Sequence, residues 1–522
     1  MKVAKACRQC RESKRKCTSA SDAHCCTPCQ RKQLPCSLAG NRSRQRAPIL
    51  PQPPLPASPS PAEPLDGHVS PSQTAICELV DLYITLIHDK PHSLFHEPTI
   101  RQAASAGSIS NQVLCGISAL FHENPAIRAQ GTAFAQEAKR LLKEDVENIC
   151  IANVQACILV ANVCGANNEA TSEALFFGIA IRMAQILSLP QSSAAETAID
   201  QEVKRRVYWT LYMVDRWNSA GLGLNRQLPD ALKYPMPVHE LQFHQPHFCY
   251  RADAKPGLWA YFINLASIFG EIQDLHSRHV SGELEDSHFE EQAQALAARL
   301  EQFAEGLPTE LRLNVDNLRW HADRGIGRTF VALHLGFHHY STLIHFQYLD
   351  IQLPRSPTQR LFASRCKHHA NTYSDLLKLS TEMPNCDAVY NIVGHMTVVS
   401  SSVLLHILFF GDEEELAMTR QRLEQNFQLL IKLRGYWPSV HGMMDRLFTF
   451  QKACMWTADP NTHKIDKWML KFLLQHALPI EDKVDESPAA SRPSASAVTP
   501  VVSDISSERG QYATNALSML RQ

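Results

Sequence analysis

Two cysteine triads of one spacing, a proline-rich stretch behind them and a long run of helical periodicity predict the fold class of this chain. The expectation is a small binuclear zinc cluster domain plus a large all-α domain, with a disordered linker and C-terminal tail. The triads are Cys7-x2-Cys10-x6-Cys17 and Cys26-x2-Cys29-x6-Cys36. A thiolate pair two residues apart grips one ion from a tight turn, so the pattern points to zinc. Six ligands are too few for two separate tetrahedral sites. The deficit closes if two cysteines each bridge both ions, giving two Zn2+ in one knot. Residues 1–38 are too short and too polar to build a hydrophobic core. Metal must supply the folding free energy there, on the order of 10 kcal/mol.

The remaining elements follow in order. Residues 1–46 form the head with a basic extension, and 47–74 form a linker. Pro48, Pro51, Pro53, Pro54, Pro56, Pro59, Pro61, Pro64 and Pro71 favour extended, solvated backbone there. No sustained heptad is present, so no coiled coil is expected. From residue 75 to 480 the periodicity is helical. Residues 76–89 carry Leu79, Val80, Leu82, Tyr83, Leu86 and Ile87 and stop before Pro91. Residues 153–164 are an apolar helix with Gly165 as its C-cap. Thr171 or Ser172 caps the next helix, whose buried face is expected to include Leu175, Phe176, Ile179, Met183 and Ile186 before Pro190. These two helices form a hairpin. Residues 205–217 give another through Val207, Trp209, Leu211, Tyr212 and Val214. Further helices are expected near 258–278, 287–305, 326–349, 358–381, 388–410, 413–433 and 440–456. Strand alternation is lacking. The Ser/Ala/Pro-rich tail, 481–522, is expected to be disordered apart from one weak helix near 513–520.

Charge is divided unevenly. Residues 1–46 hold twelve Lys/Arg against Glu12 and Asp22, a net of +10, within a chain whose total is −1. A basic head on a mildly acidic body assigns any polyanion to the head alone. Seven of the 16 cysteines lie in residues 7–36, and the others are scattered, several in apolar runs, as buried thiols are. The first residues show no apolar core of signal-peptide length, so an intracellular protein is expected. Residues 392–411 are apolar enough for a membrane check, but His395, Thr397, Ser400, Ser401, Ser402 and His406 favour a buried core helix. No membrane partner is expected. His334 and His338 have an i, i+4 metal spacing, yet their apolar neighbours mark a packing helix. His88, His92 and His96 flank a turn and read as structural. Asp215 and Arg216 read as a buried pair bracing helices rather than as a catalytic group. The chain contains no HExxH, GxGxxG or Walker loop.

The chemistry concentrates in the head. Arg11, Lys14 and Arg15 fall at i, i+3 and i+4 between two zinc cysteines, which puts three cations on one face of a short helix. Such a helix can enter a major groove and offer donors to guanine O6 and N7. Lys16, Arg31 and Lys32 are placed for phosphates. Arg42, Arg44 and Arg46 continue the positive strip, toward DNA backbone or nuclear import.

The run from Cys7 through Lys14, Arg15 and Lys16 to Cys17, with Cys26 through Cys29, Arg31 and Lys32 to Cys36, resembles the fungal zinc binuclear cluster DNA-binding domain. Cys25 stands beside Cys26, and the repeated spacing selects Cys26. The resemblance implies two zincs on six cysteines, with Cys7 and Cys26 bridging, and Lys14 touching bases of CGG-type triplets. Leu79-Val-Asp-Leu-Tyr83, Leu94-Phe-His-Glu-Pro98, Glu173 to Ala184 and Arg205 to Arg216 resemble the fungal-specific transcription factor domain, or middle homology region. That implies an all-α regulatory domain modulating the head.

The expected function is a nuclear, sequence-specific transcription factor acting on RNA polymerase II genes, and not an enzyme. Its expected partners are double-stranded DNA at CGG-type sites, transcription machinery or co-regulators, and a small-molecule inducer. The alternative is a helical metabolite-binding or enzymatic domain with a zinc module for protein docking. Dimerisation is open: family members commonly pair through a coiled coil after the linker, and none is seen here.

Overall fold

The computed structural model describes Cys17, residues 26–32, and 72–521 except 91, 105–108, 190, 192, 194, 232, 252–254, 353–355, 457–464, 476 and 478–503. Most of the head and the expected linker up to residue 71 lie outside these residues; the last expected linker residues, Gln73 and Thr74, already belong to the first helix of the body. The chain divides into two compact units, Met1–Ser70 and Pro71–Gln522.

In the first unit, Thr27–Arg31 makes a single helical turn. The second unit is helical, and its described residues form no strand beyond two isolated bridges. Its main helices are α1 (Gln73–Leu86), α2 (Glu97–Ala103), α3 (Ile109–Ser118), α4 (Pro125–Glu144), α5 (Ile151–Ala166), α6 (Ala170–Ile186), α7 (Ala198–Leu222), α8 (Leu258–Ser281), α9 (Asp286–Glu305), α10 (Val315–Ala322), α11 (Gly327–His345), α12 (Pro357–Glu382), α13 (Ile392–Phe410), α14 (Glu413–Arg434), α15 (Ser439–Trp456), α16 (Lys467–Leu474) and α17 (Asp504–Ser518). One continuous core runs through them, from Val80 and Tyr83 on α1 to Leu517 on α17. Burying that apolar surface stabilises the body at roughly 25 cal/mol per Å² removed from water.

Local chemistry sets the helix ends. The α7 start is a capping box: Asp200 N–H donates to Thr197 Oγ1 (3.1 Å), and the Asp200 carboxylate accepts from Thr197 N–H (3.3 Å). Gly223 stops the helix in the left-handed region at φ 66°. The α5–α6 hairpin forms as expected, with two differences at its turn. Gly165 lies inside α5 and Asn168 takes the left-handed position instead, at φ 64°. Neither Thr171 nor Ser172 caps α6, whose N-cap is Glu169 without a side-chain cap bond. The buried face of α6 is also rotated from the expected one. Phe176, Phe177, Ala180, Ile181 and Met183 face the core, while Leu175 and Ile186 are 61% and 57% exposed. The adjacent phenylalanines bury more surface than the leucine and isoleucine would, so they set the face.

α13 is the centre of the body and is buried nearly throughout. Its polar residues knit it to its neighbours. Ser400 Oγ donates to the Ala370 carbonyl on α12 (2.9 Å) and meets Ser374 Oγ (3.0 Å). Asn426 on α14 donates to both Ser374 and Ser401 Oγ (3.1 Å each). A helix facing lipid would leave such groups without partners, so the segment is a core helix of this fold.

The tail helix expected near 513–520 forms, and it starts earlier than expected. α17 spans 15 residues and docks on the body, burying Ala513 and Leu517, and the turn after it buries Leu520. Arg509 donates to the Gly411 carbonyl (3.0 Å) and pairs with Glu413, and Arg434 donates to the Leu520 carbonyl (2.9 Å). Low intrinsic propensity is overridden by packing, as is usual for short amphipathic helices. Residues 481–503 lie outside the described set.

Candidate nucleic-acid interface and buried polar sites

The described part of the head is a thiol pair and two cations. Cys29 N–H donates to the Cys26 carbonyl (3.0 Å), and Lys32 N–H to the Cys29 carbonyl (3.2 Å). Three residues apart on one turn, the two sulfurs share a side. They are 1% and 2% exposed, Cys17 is half-buried, and Arg31 and Lys32 face water. So polar a segment has no apolar core to bury thiols in, and a donor set of this kind suits zinc. Cys7, Cys10, Cys36, Arg11, Lys14, Arg15 and Lys16 lie outside the described residues.

The body holds a second group of metal-type side chains: His88, Asp89, Glu97 and His244, with ligand atoms within 4.8 Å of one another. Its hydrogen bonds exclude an ion. His88 Nε2 accepts from the Leu94 and Phe95 N–H groups (3.2 and 3.1 Å), so its proton is on Nδ1. His244 Nδ1 accepts from Glu97 N–H (3.3 Å), so its Nε2–H donates to Asp89 Oδ2 (2.8 Å). A metal on either remaining nitrogen would require an imidazolate. Burial opposes the Asp89 charge, but His88, His244 and Arg206 around it hold its carboxyl well below the usual range. Asp89 sits at φ 61°, and its N–H closes the turn onto the His92 carbonyl (2.7 Å). The histidines at this turn are structural, as the sequence suggests.

Other polar groups brace α7. Arg206 donates to Glu202 (3.0 Å), Ser93 Oγ (3.0 Å) and the Val238 carbonyl (2.6 Å). Asp215 and Arg216 are both buried but are not mainly a pair: their nearest charged atoms are 3.9 Å apart. The Asp215 carboxylate accepts from Gln227 N–H (3.0 Å) and Leu228 N–H (2.8 Å). Arg216 donates to the Pro229 carbonyl (3.2 Å) and Asp230 (2.8 Å). Together they clamp the 227–230 loop to α7. His334 bonds the Leu311 carbonyl (2.9 Å), and His338 bonds His369 (3.0 Å), so both serve packing.

One feature escaped the sequence reading. A cavity of about 700 Å³ lies among α1, α3, α5, α6, α7, α13 and α15, within the range of small-molecule sites. Glu173, Trp217, Tyr390 and Trp437 line it.

Residues 81–265 match the fungal specific transcription factor domain. Over this stretch the chain is similar to that domain. The match begins in α1 and ends in α8, so it takes in the histidine turn, the α5–α6 hairpin and the α7 clamp. The Zn(2)-C6 fungal-type transcription factor FTF1c of Fusarium oxysporum f. sp. lycopersici is 23% identical over 442 residues, covering 73% of this chain and 46% of that protein. The transcriptional regulatory proteins C1327.01c and C530.11c of Schizosaccharomyces pombe are 24% and 20% identical, covering 58% and 71% of this chain. The chain spans 35% to 51% of the length of these three relatives. The matching domain and these three relatives are all named for transcription or its regulation.

Proposed function

We propose that the chain is a nuclear, sequence-specific DNA-binding regulator of RNA polymerase II transcription. In this reading Cys7, Cys10, Cys17, Cys26, Cys29 and Cys36 hold two Zn2+ and thereby fold the head. Lys14, with Arg11 and Arg15, reads CGG-type triplets in the major groove, while Lys16, Arg31 and Lys32 anchor phosphates. The all-α body receives the regulatory input, from a small molecule or a co-regulator. The observation that carries the reading is the coupling of two identical cysteine triads, on a head of net charge +10, to a fungal specific transcription factor domain. The buried sulfurs of Cys26 and Cys29 behind solvent-facing Arg31 and Lys32 support it.

The test titrates the full chain onto a CGG-containing duplex and onto a scrambled one, at several salt concentrations, with zinc content measured. Affinity should fall steeply with salt. Lys14→Ala should weaken CGG binding by about 1–3 kcal/mol at unchanged zinc content, and bind the scrambled duplex nearly as before. Equal loss on both duplexes makes Lys14 a phosphate contact. A flat salt response in fully metallated protein overturns the DNA reading and favours a zinc module for protein docking.

A further inference from the structure

The cavity in the helical body carries a chemistry that its lining states. Its floor is buried and its rim is exposed at Asn168, Thr171, Glu169 and Asp445. Two carboxylates therefore stand at the entrance. Glu169 is already bound to Lys139 (2.8 Å), and Asp445 faces water.

Inside, the cations and the acid differ in what they are doing. Lys90 Nζ donates to the Ile84 and Thr85 carbonyls (3.2 and 3.0 Å). Arg446 donates to the Phe472 carbonyl. His92 is engaged with Asn162 (2.7 Å). The Glu173 carboxyl, by contrast, has no hydrogen-bond or ion-pair partner among the described residues. It lies where a Cβ on Gly165 would come within 2.6 Å of its Oε1, so the missing side chain of Gly165 is what admits it. Burial alone pushes its pKa up to about 7. The rings of Trp217, Trp437 and Tyr390 line the same space. A carboxylate among aromatic faces is the arrangement that holds organic ammonium groups.

We propose that this cavity is a binding site for a small organic cation, an amine on an apolar body, with Glu173 as its counter-ion and Trp217, Trp437 and Tyr390 as its walls. Binding transfers no group. The ammonium gives the half-buried Glu173 carboxylate the partner that the fold withholds, and the apolar body fills the aromatic space. The site belongs to the body alone, so it stands whether or not the head binds DNA.

The probe is dansylcadaverine, a fluorescent amine, titrated into the full chain without DNA. Its N-acetylated derivative and dansyl-aminohexanoate supply the neutral and anionic counterparts. Saturable, blue-shifted emission is expected for the amine, with both counterparts at least about tenfold weaker. Glu173→Gln should weaken the amine by about tenfold while leaving the acetylated probe unchanged. It should also keep its helical circular dichroism and melt no lower, because it removes a desolvated carboxyl. Gly165→Ala keeps the charge but forces the carboxyl aside, and should weaken the amine too. Equal affinity for all three probes, tighter binding of the carboxylate, unchanged amine binding in Glu173→Gln, or no saturable binding overturns the proposal.

Discussion

Acid should unfold the helical body, and the buried histidines say where. His92, His276, His334 and His345 are each pushed down by burial to about 4, against an ordinary 6.5. Between those two values the unfolded chain takes up protons that the folded chain refuses. Stability is therefore complete above pH 6.5 and is lost as the pH falls toward 4. Linkage makes each of these histidines cost about 1.8 kcal/mol between pH 7 and pH 5, so the four cost about 7 kcal/mol. Glu173 works in the opposite direction. Its folded value of about 7 lies above the ordinary 4.5, so the folded chain takes the proton first, and it returns about 2 kcal/mol over the same interval. Over these five groups the loss is about 5 kcal/mol, comparable with the whole stability of an ordinary domain, and His88 and His369, pushed down by burial to about 3, act in the same direction.

The assay is near- and far-ultraviolet circular dichroism, with melting temperature, as the pH is stepped from 7 to 5. The near-ultraviolet tryptophan signal should collapse within that window. His345→Leu isolates one contribution. The ring donates only to the Ser341 carbonyl one turn back (2.7 Å), and its Nε2 has no partner, so little is lost at neutral pH. At pH 5 the variant should be more stable than the parent by about 2 kcal/mol. A melting temperature that does not change between pH 7 and 5, or a variant no better than the parent at pH 5, refutes the reasoning.

Two other outcomes follow from the packing. Asp215→Ala strips the Gln227 and Leu228 N–H groups of their acceptor and leaves Arg216 less compensated; it should cost about 2–5 kcal/mol in thermal unfolding and speed amide exchange in the 227–230 loop, and a loss under about 0.5 kcal/mol would refute the clamp. Ending the chain at residue 503 removes α17 and uncovers the surface against Ala513, Leu517 and Leu520; a lower melting temperature and increased binding of a hydrophobic dye are expected, and neither should occur if α17 only rests on the body.

The fold was legible where apolar periodicity was strong. The helices expected near 258–278, 287–305, 358–381 and 413–433 lie within α8, α9, α12 and α14, because a repeating apolar stripe leaves few alternatives. Helix ends were less legible. Gly165 has the composition of a C-cap, yet α5 runs through it, and its lack of a side chain serves Glu173 rather than a turn. The face of α6 was misplaced because Leu175 and Ile186 carry the same hydropathy signal as Phe176 and Phe177. Hydropathy cannot rank them, whereas buried area can. The tail helix was underread for a related reason: α17 depends on partners on α13, α14 and α15 that are remote in sequence.

The candidate sites divide along the same physical line. The proposed zinc ligation rests on spacing, because a repeated Cys-x2-Cys triad is visible in one dimension whatever surrounds it. A cavity is encoded by what is absent between elements. Glu173 on α6, Trp217 on α7, Tyr390 before α13 and Trp437 before α15 are far apart in the chain, and each alone reads as a packing residue. A single sequence can mark a half-buried acid only by the small residue that makes room for it, and here the pair is Gly165 and Glu173, two turns of a hairpin apart. Substituting the glycine tests that pairing more sharply than removing the acid. Alanine improves the helix by up to about 1 kcal/mol, so a loss of amine binding in Gly165→Ala does not come from the stability of α5, and retained binding of the acetylated probe would separate displacement of the carboxyl from lost cavity space.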